Sequence, residues 1–337
     1  MDELKKALLA EPLSQVEALA LMRRIMAGDL TPVQTAGVLM ALRTRGETPE
    51  EIAGFAAGMR EAAVRLEVGR QPLMDIVGTG GVAADAFNIS TTTCFVVAAG
   101  GVAVAKHGNR AASSRSGSFD LLEALGVRID LPVERVAECV ETLGIGFLFA
   151  RSHHPAMRYV APVRSELGVR TVFNLLGPLT NPAFATLNLI GVSSPALVPV
   201  FAQVLRELGS QRALVAHGRL DGEAIDELVL GPNQVAELWE GQIRSYTLHP
   251  EAVGLAPAPY EALRGGTPKE NAAVARAILR GQERGPRRDA VLLNAGAAFY
   301  LAGQVADIAA GVRRAAEVLD GGAAYELLEQ LVRFTQA

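Results

Sequence analysis

The 337-residue chain is half hydrophobic and one-fifth charged, with a formal net charge of −4. That composition is globular and can bury a substantial core in one large domain or two ordinary ones. It lacks the basic excess and the aromatic content that nucleic-acid binding usually needs, so no nucleic-acid partner is expected.

The two cysteines, Cys94 and Cys139, make no disulfide framework. Cys94 sits in the apolar run Cys94-Phe-Val-Val-Ala and reads as a small buried hydrophobe. A reducing cytoplasm is the expected compartment. Met1-Asp-Glu-Leu-Lys-Lys lacks the apolar core of a signal peptide. No apolar stretch approaches the ~18 residues of a membrane span, so no membrane partner is expected.

The first 70 residues read as about four helices. Ser14 with Glu17 forms a capping box, and that helix is predicted to run to about Met26. Thr31-Pro32 is an N-cap followed by proline at the first helical position, with an end near Gly46. Thr48 with Glu51 is a second capping box, and Ile52, Phe55, Ala56 and Met59 follow at helical spacing. The apolar stripes of this group exceed what four short helices can hide among themselves.

The pattern changes near Leu73. Strands are predicted at Leu73 to Val77, Val102 to Ala105, Phe147 to Phe149, Leu187 to Val192, Ala213 to Ala216, Glu227 to Leu230 and Val235 to Trp239. Helices are predicted at Thr91 to Ala99 and Ser118 to Leu125, and Thr267-Pro-Lys-Glu270 opens a long helical C-terminal stretch. Strands alternating with helices imply an α/β domain with a largely parallel sheet. The segment 155–182 is dense in Pro, Gly and Arg, with one helical pattern at Met157 to Val163. It reads as a crossover returning to the helices and closing over the sheet. The expected division is a helical domain at 1–70, joined by 155–182, and an α/β domain made of 71–154 and 183–337.

Three constellations carry chemistry. Val77-Gly78-Thr79-Gly80-Gly81 directly follows a strand, where glycines let the backbone turn and present N–H groups to an anion. An ordinary glycine turn reads the same way, and neither a Rossmann fingerprint nor a P-loop is present. Asn88-Ile89-Ser90-Thr91 opens a helix; simple capping explains it, and a phosphate site at the free N–H groups adds to that. A serine hydroxyl there can also complete a magnesium shell. The third, Lys106-His107-Gly108-Asn109-Arg110-Ala-Ala-Ser113-Ser114, lies at the end of a buried strand, where open α/β sheets bind ligands. Lys106 and Arg110 suit a polyphosphate, and Asn109 suits a planar substrate. His107 reads either as a hydrogen-bond donor or as a packed ring.

Together these motifs resemble the anthranilate phosphoribosyltransferases, of the nucleoside phosphorylase/phosphoribosyltransferase fold family. The likeness extends over Ser116-Gly-Ser118, His154-Pro-Ala-Met157, Ala161-Pro-Val-Arg164 and Val172-Phe-Asn-Leu-Leu-Gly-Pro-Leu-Thr-Asn-Pro182. It implies attack of the anthranilate amine on the ribose C1 of phosphoribosyl pyrophosphate (PRPP), releasing pyrophosphate, within tryptophan biosynthesis. By that resemblance PRPP would lie on Gly78, Gly81, Val82, Ala86, Asn88, Ile89, Ser90, Thr91, Lys106, His107, Gly108, Asn109, Arg110, Ser113, Ser114 and Ser118. Anthranilate would meet Gly78, Asn109 and Arg164, with His107, His154 and Gly177 lining its pocket. No residue is expected to act as a covalent nucleophile. A homodimer through the helical domain is also implied.

A fourth constellation, Asp226-Glu227, offers Mg²⁺ the oxygen ligands it prefers, as does any solvated acidic pair. The family has an acidic pair here after His-Gly, as in His217-Gly218. With Ser90 these two residues form the expected metal site. Three departures stand out. Val82 replaces an aspartate usual after the glycine turn, and Ala86 replaces a hydroxyl residue. Phe119 replaces a small residue. Asp85 is a candidate substitute carboxylate for the first loss. The loop from His217 to Asp226 is also long, so Asp221 and Glu223 compete for the metal. Two alternatives remain open: a pyrimidine-nucleoside phosphorylase of the same fold, and a family member that has lost catalysis and only binds a ligand or nucleic acid.

Overall fold

A computed structural model describes residues 2–83, 85–111 and 115–337. The chain opens with helices at Glu3–Leu8, Gln15–Ala27, Pro32–Arg45 and Pro49–Glu61. Ser14/Glu17, Thr31/Gln34 and Thr48/Glu51 form reciprocal capping boxes at the last three, so their first orphan N–H groups are satisfied. Glu51 is fully buried and reaches further, accepting from Leu13 N at 2.9 Å.

The strands are β1 (Met74–Gly78), β2 (Val104–Gly108), β3 (Ile145–Phe149), β4 (Leu187–Gly191), β5 (Arg212–Leu220), β6 (Glu223–Ile225), β7 (Asn233–Trp239) and β8 (Gln242–Leu248). They form one sheet in the order β3-β2-β1-β4-β5-β7-β8, with β6 paired to β5. β1 to β5 are mutually parallel, and β6, β7 and β8 are antiparallel additions. The molecule is therefore a small helical domain plus a large α/β domain with a mostly parallel sheet.

Two cores sandwich the sheet. On one face, the helices Ile89–Ala99 and Pro286–Leu301 pack with the other C-terminal helices around Met74, Ile76, Phe95, Leu189 and Leu214. On the other, Ile190, Val192, Val215 and Leu238 join the helix Leu197–Glu207 and the N-terminal helices in a continuous cluster. That cluster takes in Val160, Val163, Val172, Phe173, Leu176 and Leu179 of the 155–182 segment. Arg60, on the last N-terminal helix, donates to the Leu179 carbonyl at 2.7 Å.

Three expectations fail. The run Leu228-Val229-Leu230 is buried, as a strand would be, yet it forms none. The Asn233 amide takes the place of a neighbouring strand, bonding Val229 N, Val229 O and Gly231 O at 2.8–2.9 Å, while Asn294 caps Leu228 O. Strand β8 was not foreseen. Its polar, half-exposed sequence hides it, but Glu240 and Gly241, with φ of 50° and 76°, make the two-residue hairpin turn that delivers it. The Met157 to Val163 helix is also broken in two, into a 3₁₀ turn at Pro155–Tyr159 and a helix at Ala161–Leu167 with Pro162 in its first turn.

Candidate active site

From β1 the chain builds outward to β2 and β3, then returns to the other side of β1 for β4 and β5. The order therefore reverses between β1 and β4, and such a switch point leaves a crevice at the carboxyl ends of the strands. The last residues of these two strands are glycines in register, Gly78 beside Gly191. Asp226 leans over both. A Cβ on Gly78 would lie 2.3 Å from Asp226 Oδ2, and one on Gly191 would lie 1.7 Å from the Asp226 carbonyl oxygen.

The glycine turn and the helix start then converge on the acidic pair. Gly80 N donates to Asp226 Oδ2 at 2.6 Å, and Ser90 N donates to Glu227 Oε1 at 3.2 Å. Thr79 locks the turn to β4, donating from N to Gly191 O at 2.9 Å and accepting at Oγ1 from Ser193 N at 3.0 Å. Asp221 and Glu223 lie instead on the β5–β6 hairpin, where Asp221 accepts from Tyr260 N at 2.8 Å.

Lys106 is the buried cation of the site, only 2% exposed. Its Nζ donates to Ile76 O and lies 3.4 Å from Ser90 Oγ. Three carboxylates surround it. Asp75, wholly buried in β1, is pushed up to about 6 by burial, against the pull of Lys106. Burial pushes Glu227 up to about 7, with repulsion from Asp226 adding to it, and burial also raises Asp226. Asp226 and Glu227 lie together beside the Lys106 ammonium at the crevice. Paired hard oxygen donors suit Mg²⁺. Among the described residues no group of three or more His, Cys, Asp or Glu could hold a metal alone.

A second half of the site lies where the 155–182 segment crosses β2. His107 Nδ1 donates to Gly177 O at 3.0 Å, so the neutral ring presents Nε2 as an acceptor. His154 stands against it, ring centroids 5.1 Å apart. Both Nε2 atoms are buried and unpartnered among the described residues. Burial, reinforced by repulsion from His154, drives His107 down to about 3, and burial with repulsion from His153 lowers His154 to about 4. Both rings are neutral at physiological pH. Arg164 is half-buried, its guanidinium 5.5 Å from the Phe173 ring centroid. Burial lowers its pKa, and among the described residues no carboxylate pairs with it. A desolvated guanidinium without a counter-ion is a carboxylate site in waiting.

The remaining expected residues divide. Ile89 and Thr91 are buried in the first turn of their helix. Asn88 does not cap that helix with its side chain; it donates to Ser116 O at 3.0 Å and accepts from Asn271 at 2.9 Å. Ser118 Oγ donates to Asn109 O at 3.1 Å, close beside Gly108. Asn109 is exposed, its Oδ1 accepting from Arg110 N. Arg110 pairs with Asp120 and Glu123 at 3.1 and 2.9 Å. Gly81 O accepts from Arg170 Nη1 at 2.9 Å. Val82 is half-buried, and Ala86 pairs with Arg264 in an isolated bridge. Asp85 contributes its backbone oxygen to Gly265 N at 2.7 Å. Phe119 packs, stacked on Phe149 at 4.6 Å. Ser113 and Ser114 lie outside the described residues.

Sequence reasoning missed Asp75, Asn181 and Arg170. Asp75 looked like one polar residue in a strand, and Asn181 like part of a motif. The only signal for Asp75 was a carboxylate inside an otherwise apolar run.

Known proteins place this geometry. Residues 70–325 match the family model described as the glycosyl transferase family, a/b domain, and residues 2–63 match its helical bundle domain. The anthranilate phosphoribosyltransferase of Thermus thermophilus is 59% identical over 337 residues, all of both chains. That of Deinococcus radiodurans is 52% identical, covering 97% of this chain and 96% of its own. A crystal structure of the Thermus thermophilus enzyme aligns over 100% of both chains with a TM-score of 0.95 at 59% identity. The Saccharomyces cerevisiae enzyme in complex with PRPP and Mg aligns at TM-score 0.85 and 27% identity, covering 96% and 94% of the two chains. Nothing in these likenesses favours the nucleoside phosphorylase or the non-catalytic alternative. Motifs, crevice and full-length similarity agree: the chain belongs to the anthranilate phosphoribosyltransferases, glycosyltransferases of tryptophan biosynthesis.

Proposed function

We propose that the crevice between β1, β2 and β4 holds PRPP and that the His107–His154–Arg164 side holds anthranilate. The observation that carries this is the convergence of Gly80, Ser90, Asp226, Glu227 and Lys106 at one switch point. Backbone N–H groups and a buried ammonium suit a pyrophosphate, whose negative charge grows as it leaves. Mg²⁺ would sit on Asp226 and Glu227 with Ser90 beside them, where it would neutralise the departing pyrophosphate. Arg164 pairs with the anthranilate carboxylate, and the bare Nε2 acceptors of His107 and His154 suit its amine N–H groups. The N–C1 bond forms as the C1–O bond breaks, that electron pair leaves with pyrophosphate, and the proton lost from the amine passes to the released pyrophosphate or to water. No protein nucleophile is required; holding the amine in line does the work.

We assign the 155–182 segment to the helical domain's side of the cleft, supported by its shared core. Val16 and Val33 are 75% and 82% exposed on two helices of the helical domain, and we propose a homodimer through that domain. No helix of the described residues is long and apolar enough to cross a membrane, and we place the enzyme in the cytoplasm. The deciding experiment is turnover of anthranilate with PRPP and Mg²⁺, followed as loss of anthranilate fluorescence. A folded protein without turnover would overturn the assignment.

A further inference from the structure

Strands β1 and β2 are neighbours in name but scarcely share a ladder. They are in register at one pair, Met74 and Val104, whereas β1 pairs with β4 over five residues and β2 with β3 over five. Beyond Met74 the two strands are joined by side chains. Asp75 Oδ1 accepts from His107 N at 3.2 Å, and Lys106 Nζ donates to Ile76 O. Asn181, from the crossing segment, donates to Asp75 Oδ2 and to Ala105 O, both at 2.7 Å. All of these side chains are buried. The polar atoms that a ladder would pair are thus met by one carboxylate, one amide and one ammonium.

We propose that Asp75 and Asn181 are positioning residues for the transfer reaction: together they hold β2 splayed from β1 and fix Lys106 and His107, one under each substrate. The proposal rests on the two-substrate reading of the crevice given above. The physical reason is geometric. Asp75 fixes the backbone of His107, whose ring binds Gly177, while its charge offsets Lys106 beneath Ser90. Asn181 ties both to the segment that carries Gly177 and Arg164. The relative placement of the two substrate halves therefore passes through one buried hydrogen-bonded pair. Placement errors of about 1 Å are enough to cost a transfer reaction about 10²-fold.

Asp75→Asn tests it with almost no change in volume. An amide at position 75 can turn its oxygen to the His107 N–H or to the Asn181 amide, but not to both, so two buried donors meet. We expect kcat/KM to fall about 10²-fold in protein that is still folded. Asp75→Asn with wild-type kcat/KM and only a lower Tm would make the pair structural and overturn the proposal. Should Asp75→Asn not fold, Asn181→Ala removes both amide donors while sparing the carboxylate. A drop of about tenfold or more in its kcat/KM supports the proposal, and an unchanged value overturns it. Wild-type protein in the same assay keeps the two readings separate. If it turns over while Asp75→Asn is indifferent, only the positioning role fails; if it does not turn over, the substrate assignment fails.

Discussion

Replacing Gly191 with alanine puts a Cβ 1.7 Å from the carbonyl oxygen of Asp226 and 2.1 Å from its carbonyl carbon. Ordinary contact between such atoms needs about 3.5 Å, so one side must retreat by roughly 1.5–2 Å. β4 is pinned by parallel partners on both flanks, in register from Leu187 to Gly191. The loop at Asp226 therefore moves, breaking the 2.6 Å bond from Gly80 and lifting Glu227 from Ser90 N. A displacement of that size predicts a fall in kcat/KM of about 10²-fold or more, with saturation shifted to higher Mg²⁺. Overpacking costs about 1–3 kcal/mol of stability, which lowers Tm by only a few degrees in a chain this large. Anthranilate fluorescence at a series of Mg²⁺ concentrations, alongside a thermal melt, reads both effects. A variant within about twofold of wild type at every Mg²⁺ concentration would refute the view that Gly78 and Gly191 exist to admit the acidic pair.

Other outcomes follow from the same geometry. Arg164→Ala should raise the anthranilate KM at least about tenfold more than the PRPP KM, because the guanidinium pairs with the carboxylate alone; equal rises in steady-state kinetics would contradict the assignment. Asp226→Asn with Glu227→Gln should abolish Mg²⁺-dependent use of PRPP, whereas Asp221→Asn with Glu223→Gln should leave it within about threefold, and the reverse result moves the metal to the hairpin. His107 and His154 fold with values of about 3 and about 4, below the 6.5 of free imidazole. The unfolded chain therefore takes up protons first as pH falls, and stability is lost from pH 6.5 downward, by about 2 kcal/mol for each ring between pH 7 and 5. Raised carboxylates such as Asp75 act in the opposite direction, so the measurement is a difference. Denaturant melts should show wild type losing more stability than His107→Gln over that range, and equal losses would show that the ring is not buried neutral. Arg110→Ala, which removes pairs already satisfied by Asp120 and Glu123, should change the PRPP KM by less than about threefold.

Local chemistry determined much of this protein. Capping boxes at Ser14, Thr31, Thr48 and Thr267 fix helix starts through the residue itself and one three positions on, so they can be read without the fold. The glycine turn, the Asn88 helix start and the Lys106 strand end are likewise short-range, and their order along the chain identified the family. What a sequence cannot hold is which backbone groups meet across a sheet. Leu228-Val229-Leu230 has strand composition, yet the amide of Asn233 takes its hydrogen bonds. Nor could the sequence show that the helix at Ser118–Ala124 brings Asp120 and Glu123 to Arg110. The choice between Asp221 and Asp226 was open in sequence. Only the fold shows that the Asp226 loop leans over two glycines lying in register on strands more than a hundred residues apart, while Asp221 sits on a hairpin. Asp75 and Asn181, the same distance apart, became a pair only when the crossing segment was laid over β2. Local motifs act through bonds and near neighbours, while the site's charge balance and clearances depend on contacts that only the closed chain creates.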